Sequence, residues 1–306
     1  MPPFAQLRAA FIGALNMDQI VRVPQLPRPG ETVLGGDLLR APGGKGSNQA
    51  VAAARLGASV AMIGRVGRDA FGRELSRSLR SVGISTRWVR ACERPTGTAL
   101  IFVDQRGENA IAVSPGANEQ LLPEDMPRRA IAATDVLVAA LEVPLASIEE
   151  AFRVARAAGV RTVLNAAPAQ ALPGWMLELC DVVICNETEL ATLVGRVVPL
   201  GSEVEAARSL RGFAEQVMVV TLGERGALAV SHDAVVEQPP FAVRVVDTVG
   251  AGDAFVAGFV VGRWFDAGIG SALRWGCAAG GLATTRPGAQ PSMPGLGQLE
   301  ALLNSG

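Results

Sequence analysis

Short apolar segments alternate with helical segments along most of this chain, and that alternation limits the possible folds more than any other feature. The apolar runs of strand length lie at 9–15, 60–64, 136–141, 160–165, 181–185 and 216–221. Segments with helical periodicity follow most of them, which is typical of a mostly parallel sheet covered by helices on both faces. No internal repeat or low-complexity linker divides the 306 residues. The sequence therefore predicts a single α/β domain over 1–306.

Two regions, at about 18–42 and 96–115, interrupt the alternation. The first contains short extended segments separated by Pro24, Pro27, Pro29 and Gly30. The second has the pattern of a hairpin, with strands at 98–104 and 110–114. We expect these segments to form a small antiparallel sheet, inserted into the domain as a lid.

The charge balance and the residue types exclude several classes of protein. Lys and Arg number 28 against 29 Asp and Glu, a net charge of −1, so no basic field is available for a nucleic acid. The first residues lack the features of a signal peptide, and no apolar run approaches the roughly 18 residues that span a bilayer. We therefore expect a cytoplasmic protein with no membrane partner. The four cysteines form no CxxC pair and His232 is the only histidine, which excludes zinc fingers and HExxH proteases.

The segment 247–255 reads Asp-Thr-Val-Gly-Ala-Gly-Asp-Ala-Phe and opens an apolar helix. The backbone N–H groups of Gly250, Ala251 and Gly252 can point into one concavity at the positive end of the helix dipole, which makes an anion site. Asp253 would repel an anion that is merely held there. It suits a base that accepts a proton from a nucleophile approaching a phosphate. The alternative is that Asp253 is an ordinary acid at a helix start.

A second glycine-rich segment, 41–50, reads Ala-Pro-Gly-Gly-Lys-Gly-Ser-Asn-Gln-Ala and matches neither a Walker A loop nor GxGxxG. Its glycines let the backbone approach a hydroxylated ligand, with Lys45 and Asn48 as donors. A plain glycine-rich helix start is the alternative. Asn16 and Asp18 follow the first strand, and a neighbouring amide and carboxylate can bind vicinal hydroxyls. Both residue types are also common in turns.

Three further strand ends carry polar residues, at the edge where open α/β sheets bind their ligands. Glu142 follows the strand at 136–141. Asn186 and Glu189 have the spacing of a capping box, or of a pair that orders water around Mg²⁺ and phosphates. The glycine turn at 221–226 suits contact with a nucleotide, with a simple hairpin turn as the alternative.

Taken in order, these segments resemble the ribokinase (PfkB) family of carbohydrate kinases over essentially the whole chain. The two glycine-rich segments, 43–50 and 247–255, are the most specific, and the runs at 186–189 and 285–292 support them. The resemblance implies a ribokinase-like three-layer α/β/α fold with a mostly parallel central sheet and a small β-sheet lid. It implies ATP-dependent phosphorylation of a pentose primary hydroxyl, foremost D-ribose to D-ribose 5-phosphate, and a homodimer formed through the lid strands.

The resemblance also implies roles for individual residues. Asp253 is the catalytic base, with the amides of Gly250, Ala251 and Gly252 as the anion hole. The sugar contacts are Asn16, Asp18, Gly44, Lys45, Gly46, Ser47, Asn48, Glu142 and Asp253. The site for ATP and its Mg²⁺ comprises Asn186, Glu189, Thr221, Leu222, Gly223, Glu224, Arg225, Gly226, Gly252 and Cys277, the last in place of a histidine that often borders the adenine. Potassium, as a monovalent activator, is bound mostly through backbone carbonyls at Asp247, Val249, Ala283, Arg286, Gly288 and Ser292.

Three other functions stay open at this point. The first is a kinase of the same family for deoxyribose, a ketose or a nucleoside. The second is a catalytically silent sugar-binding protein, against which Asp253 and its glycines argue. The third is a nicotinamide dehydrogenase, which would be expected to carry GxGxxG after its first strand, a motif that is missing there.

Overall fold

The main sheet has nine strands in the computed structural model, which describes residues 7–266 and 268–305. Their order across the sheet is β13 (Val235–Gln238), β12 (Ala227–Val230), β11 (Val217–Thr221), β10 (Val182–Asn186), β9 (Arg161–Asn165), β8 (Val136–Ala140), β1 (Arg8–Ile12), β4 (Ser59–Gly67) and β5 (Ser85–Cys92). The seven strands from β11 to β5 run parallel, and β12 and β13 add an antiparallel hairpin at one edge.

Helices cover both faces of this sheet, because its central strands are apolar on both sides. Every residue of β8 is buried. In β1, Ala9 and Phe11 belong to one core and Ala10 and Ile12 to the other, as the alternation of side chains along a strand requires. The predicted three-layer α/β/α fold is confirmed.

The helices divide between the two cores according to their buried residues. The first layer consists of α1 (Lys45–Arg55), α2 (Ala70–Ser81), α8 (Ala251–Asp266), α9 (Ile269–Ala283) and α10 (Leu296–Ser305). The second layer consists of α3 (Arg128–Ile131), α4 (Leu145–Ala157), α5 (Gly174–Leu177), α6 (Glu187–Val194) and α7 (Glu203–Ser209). No helix within 7–266 or 268–305 has the length and apolar character needed to cross a bilayer.

A second sheet of four strands forms the lid. Its order is β3 (Leu39–Gly43), β2 (Asn16–Arg22), β6 (Gly97–Val103) and β7 (Asn109–Ser114). The prediction of an antiparallel lid is wrong at its centre, because β2 and β6 pair in parallel. Between these two strands the chain forms β3 and then passes through α1, β4, α2 and β5 of the main domain before it returns to the lid as β6. The outer pairs, β2 with β3 and β6 with β7, are antiparallel.

β5 and the hairpin of β12 and β13 were not predicted from the sequence. In β5, the sequence Ser-Thr-Arg-Trp-Val-Arg-Ala-Cys mixes polar and apolar residues, and none of its side chains is fully buried. Val89 packs against one core and Trp88 against the other, but both are only partly buried, and an edge strand of this kind lacks the continuous apolar run of the central strands.

Candidate active site

The Asp253 side chain lies in the first turn of α8 and is 7% exposed. Its carboxylate is held by α1, the helix that follows the second glycine-rich segment. Asn48 Nδ2 donates to Oδ2 at 2.9 Å, and Gln49 Nε2 donates to Oδ1 at 3.1 Å. An ordinary helix-start acid would accept from the amides of its own helix. Among the described residues, the hydrogen bonds of this carboxylate instead come from a helix about 200 residues away.

The two helix starts can approach the same point because glycines remove the side chains that would separate them. A Cβ atom on Gly46 would lie 2.6 Å from the Cα of Gly13, so the start of α1 packs directly on the end of β1. The following turns of α1 contain mostly alanine, and Ala50, Ala52 and Ala53 are fully buried. Small residues of this kind bring α1 close to α8 and the sheet.

A cavity of about 230 Å³ opens beside Asp253, at the carboxyl edge of the main sheet. Asn165, Asn186 and Thr221, which are the last residues of β9, β10 and β11, lie along one side of it. Its lining residues are Lys45, Asn165, Ala167, Ile184, Cys185, Asn186, Glu189, Thr221, Thr248, Gly250, Gly252, Asp253 and Val256. Seven of these, from both glycine-rich segments and two strand ends, were predicted as site residues.

The start of α8 leaves open space where the sequence predicted an anion site. A Cβ atom on Gly252 would meet no atom within 4 Å, and Gly252 lines the cavity. Gly250 has a positive φ of 80°, a conformation that favours glycine, and a Cβ atom built on it would lie 3.0 Å from the Cα of Ala289. The N-terminus of α8 therefore borders open space in the cavity, the kind of position at which helix amides bind phosphate groups.

Lys45, the only lysine in the sequence, interacts with the carboxylates of Asp253, Glu142 and Glu189, and Asp18 interacts with two of these. Burial raises the pKa of Asp18 to about 7, and the charge of Asp253 adds to the effect. Burial also raises the pKa of Glu142 to about 7, although Lys45 opposes the change. The pKa of Asp253 is raised by burial and lowered, to a smaller extent, by Lys45, Asn48 and Gln49. Desolvation lowers the pKa of Lys45, but the negative charges of Asp253, Glu142 and Glu189 together outweigh it, so the pKa is raised overall.

The residues predicted to bind the sugar lie where the lid meets the main domain. The Asp18 carboxylate packs against the Cα of Gly43, a contact that a side chain at residue 43 would block. The backbone N–H of Lys45 donates to Glu142 Oε2 at 2.6 Å. Gly44, with a φ of 92°, forms the N-cap of α1. Asn16 is buried, and its Oδ1 accepts a hydrogen bond from Asn118 Nδ2 at 2.8 Å.

The Ser47 side chain makes hydrogen bonds within the protein, to the last residue of β3 and to Gln290. Its hydroxyl donates to the carbonyl of Gly43 at 2.6 Å, and Gln290 Nε2 donates to it at 3.1 Å. Gly46 likewise packs on Gly13. Both residues therefore hold the glycine-rich segment in place through contacts inside the protein.

Asn186 and Glu189 form the capping box that their spacing predicted. Asn186 Oδ1 accepts from the backbone N–H of Glu189 at 2.8 Å, and Glu189 Oε2 accepts from the backbone N–H of Asn186 at 2.8 Å. Both side chains also line the cavity, so the two interpretations are compatible. Burial raises the pKa of Glu189, against the hydrogen bond from Asn186 and the charge of Lys45.

A model of the pfkB family of carbohydrate kinases matches residues 6–296. The chain belongs to this family. The pfkB match confirms the predicted family and the predicted class of enzyme, an ATP-dependent carbohydrate kinase, and it excludes the dehydrogenase.

Individual pfkB relatives match along nearly the whole chain. A ribokinase from Haemophilus influenzae is 38% identical over 288 residues, which cover 92% of this chain and 94% of that protein. A deoxyribokinase from Salmonella typhi is 36% identical over 300 residues, covering 96% and 98%. The solved structure of Arabidopsis thaliana ribokinase complexed with ribose and ATP matches with a TM-score of 0.88 at 28% identity, covering 97% and 98%.

The predicted nucleotide contacts at 222–226 lie on a short 3₁₀ turn after β11. Arg225 forms ion pairs with two acidic residues, since its Nη2 lies 2.6 Å from Glu187 Oε1 and 2.7 Å from Glu203 Oε1. Cys277 is buried on α9, and burial raises the pKa of its thiol to about 12. Its Sγ is 3.9 Å from the carbonyl of Gln238, and it does not line the cavity.

The residues predicted to bind potassium lie on the loop at 247–249 and the segment 283–292. Asp247 joins them, because its Oδ1 accepts from the N–H of Val249 at 3.0 Å and its Oδ2 from that of Gly288 at 2.7 Å. Ala283 and Ser292 are buried and Arg286 is exposed. Backbone carbonyls, the ligands that the resemblance implies here, suit potassium rather than a transition metal. No cluster of three or more His, Cys, Asp or Glu side chains that could hold a metal occurs in the described ranges.

The sequence analysis missed three polar residues of this site. Gln49 stands inside the quoted motif, and Asn165 ends a predicted strand, so both offered a signal comparable to that of Asn186. Asn118 offered none. It lies in a 3₁₀ turn after the lid, and it orients Asn16 and accepts from the N–H of Leu15 at 3.0 Å, a contact across 103 residues.

Proposed function

We propose that this kinase transfers the γ-phosphoryl group of ATP to the primary hydroxyl of a pentose, with D-ribose converted to D-ribose 5-phosphate. The observation that carries the proposal is the buried Asp253 carboxylate, held by α1 between the cavity and the lid residues. The ribokinase from Haemophilus influenzae and the ribose complex of the Arabidopsis enzyme support ribose as the sugar.

Asp253 acts as the general base. Its two oxygens each accept one amide hydrogen bond, and each keeps a further lone pair for the substrate hydroxyl. Burial raises the pKa of Asp253 and so strengthens it as a proton acceptor. The amides at the start of α8 stabilise the charge on the phosphoryl group as it is transferred.

Asn16, Asp18, Asn48 and Glu142 bind the sugar hydroxyls, together with the Gly44 backbone. A carboxylate accepts hydrogen bonds from vicinal hydroxyls, and an amide both donates and accepts. Asp18 stands on the lid and Glu142 on the main domain, so a sugar between them joins the two parts. Closure of the lid over the sugar would exclude water from the phosphoryl group.

The nucleotide occupies the cavity, with its phosphates toward Gly250 and Gly252. Asn186 and Glu189 face the phosphates and the water around Mg²⁺. Glu189 Oε1 accepts no hydrogen bond from the described residues, which leaves it free for this purpose. Mg²⁺ bound to ATP neutralises phosphate charge and keeps several water ligands.

Potassium binds at the loops joined by Asp247 and supports the start of α8 from behind. We expect turnover to depend on K⁺ and to be lower when Na⁺ or Li⁺ replaces it, since carbonyl oxygens discriminate between cations. Removal of Mg²⁺ with EDTA abolishes turnover. Replacing K⁺ by tetramethylammonium at constant ionic strength separates binding of K⁺ from a general effect of salt.

The active species is a homodimer formed through the lid, in the cytoplasm where ATP is available. All residues of β7 are exposed, and Ile111 and Val113 are 56% and 55% exposed on this edge strand. An apolar edge strand of this kind is a surface for pairing with another chain. Ile111→Glu should therefore yield a monomer in sedimentation velocity, and an unchanged sedimentation coefficient would contradict this contact.

Deoxyribose is the second candidate, favoured by the 36% identity to the deoxyribokinase from Salmonella typhi. The two sugars differ by one hydroxyl. A site that binds this hydroxyl with buried polar groups discriminates strongly against the sugar that lacks it. Comparison of kcat/KM for ribose, deoxyribose, a ketose and a nucleoside decides between them.

The base assignment is tested by Asp253→Asn, which keeps the shape of the side chain. We expect kcat to fall by about 10²- to 10⁴-fold, the usual contribution of a general base. Ribose binding, measured by calorimetry, should persist. Turnover close to that of the unmodified enzyme would refute the assignment.

A further inference from the structure

We propose that Gln49 is a positioning residue that holds the Asp253 carboxylate in the orientation in which it accepts the proton, an inference that rests on the proposed function. The Gln49 side chain is 0% exposed and lies beneath the site on α1. It reaches the reaction only through Asp253.

The Gln49 amide uses both of its N–H groups. Nε2 donates to Asp253 Oδ1 at 3.1 Å and to Asn165 Oδ1 at 3.0 Å. The second carboxylate oxygen accepts from Asn48 Nδ2 at 2.9 Å. Two donors on neighbouring residues of one helix therefore fix the plane of the carboxylate, which otherwise rotates about its terminal torsion angle with little preference.

The direction of this network is set from the main sheet. Asn165 Nδ2 donates to the carbonyl of Ile184 at 3.3 Å, and a carbonyl can only accept. The Asn165 amide must therefore present Oδ1 to Gln49. Gln49 in turn must present Nε2, because its oxygen would meet two acceptors in that position.

The Gln49 oxygen indicates that this orientation serves the carboxylate. Oε1 is buried and has no donor among the described residues. A glutamine placed for stability alone would satisfy both ends of its amide. In this structure both N–H groups of the Gln49 amide are hydrogen-bonded, and one of them donates to the Asp253 carboxylate.

Loss of Gln49 should affect the chemical step more than binding. Groups held in reactive geometry lose about 10²-fold in rate for a displacement of 1 Å. The loss should also depend on pH, since the hydrogen bond from Gln49 lowers the pKa of Asp253 against the effect of burial. Lys45, Asp18, Glu142 and Glu189 face the same carboxylate and stay unchanged in the variant.

The test is Gln49→Met, which keeps the volume and removes the donors. Gln216→Met is the matched control, because Gln216 is also 0% exposed and its Nε2 donates twice, to the carbonyls of Leu177 and Cys180 far from the site. We expect Gln49→Met to lower kcat about 10- to 100-fold, with KM for ribose and ATP within about 3-fold. The acid limb of its pH–rate profile should move to higher pH. Gln216→Met should lower the melting temperature comparably and leave kcat unchanged.

Equal kcat values for the two variants would overturn the inference, as would a loss in Gln49→Met that appears only in KM. If Gln49→Met fails to fold, Asn165→Leu is used instead, because it removes the acceptor that orients the Gln49 amide. A normal kcat in Asn165→Leu would also overturn the inference. Asp253→Asn, assayed in parallel, separates this inference from the proposed function. If Asp253→Asn stays active, the base assignment fails. If it is inactive while Gln49→Met matches the control, only the role of Gln49 fails.

Discussion

Gly46 at the start of α1 lies against Gly13 at the end of β1, so closely that a Cβ atom on Gly46 would be 2.6 Å from the Cα of Gly13. This contact sets the position of the helix that carries Lys45, Asn48 and Gln49. The active site therefore depends on a place where two backbone segments touch without side chains between them.

Gly46→Ala should destabilise the protein by about 1–3 kcal/mol, because the methyl group forces two backbone segments apart. Gly297→Ala is the control, since Gly297 also lies in a helix but a Cβ atom there meets nothing within 4 Å. In the control the free energy of unfolding should stay the same or rise by less than about 1 kcal/mol, because alanine favours a helix over glycine. Urea denaturation measures both. Equal free energies of unfolding in the two variants would show that the contact is not tight.

Gly252→Ala should fold as stably as the unmodified enzyme, because the added methyl group enters open space. That space is where we place the phosphoryl group. The methyl group would keep the phosphoryl group away from the amides of α8, so turnover should fall by about 10²-fold or more, the usual effect when charge stabilisation is lost. The combination of normal denaturation and lost turnover distinguishes Gly252 from Gly46. Full activity in Gly252→Ala would show that the phosphoryl group does not bind beside Gly252.

The stability of the ligand-free protein should fall as pH rises from about 4 to 7, in part because of Asp18. In the unfolded chain Asp18 loses its proton near its ordinary pKa of 3.8, whereas in the folded protein its pKa is about 7. Between those two pH values the folded state binds a proton that the unfolded state has released. The contribution of Asp18 to the free energy of unfolding is therefore present at low pH and is lost as pH rises.

Asp18→Asn removes the group whose ionisation destabilises the folded protein at neutral pH. The free energy of unfolding of the variant, relative to that of the unmodified protein, should rise by about 1–3 kcal/mol between pH 5 and pH 8. Asp37→Asn, in the exposed part of the lid segment, serves as the control. Thermal denaturation at the two pH values measures the change, and a pH-independent difference between Asp18→Asn and the unmodified protein would contradict it.

Lys45→Met should move the acid limb of kcat/KM to higher pH. The Lys45 charge lowers the pKa of both Asp253 and Glu142 against the effect of burial, so its removal lets both pKa values rise. Activity should therefore be lost more at pH 6 than at pH 9. Lys45→Arg keeps the charge and should keep the limb in place. The same pH profile in Lys45→Met and the unmodified enzyme would mean that the amine does not act on these carboxylates.

Lys45 is also the only lysine in the sequence and lines the cavity, so it is the one side-chain amine that a reagent can label. Because its pKa is raised, the reaction is run at alkaline pH. We expect an amine-reactive phosphate compound, such as pyridoxal phosphate fixed with borohydride, to label Lys45 and abolish activity. ATP should protect against both effects. Peptide mass spectrometry identifies the labelled residue, with the N-terminal amine as the internal control. Labelling of Lys45 that ATP leaves unchanged would place the nucleotide outside the cavity.

The sequence determined the fold class and most of the residues around the cavity. Central parallel strands are buried on both faces, so their apolar runs are visible without any knowledge of their neighbours. The glycine-rich segments are visible for a similar reason, because close backbone approach and positive φ leave glycine as the residue that fits. Asn186 and Thr221 could be predicted since a strand end is a local feature of the sequence.

Only the tertiary structure decided what acts on each of these groups. Asn48 and Gln49 contact Asp253 across 205 and 204 residues, and Asn118 contacts Asn16 across 102. The parallel pairing of β2 and β6 likewise depends on the path of the chain through the main domain between them. Such contacts arise when elements that are separately encoded pack together. Their partners and pKa values are therefore properties of the packed molecule, which no local pattern in the sequence contains.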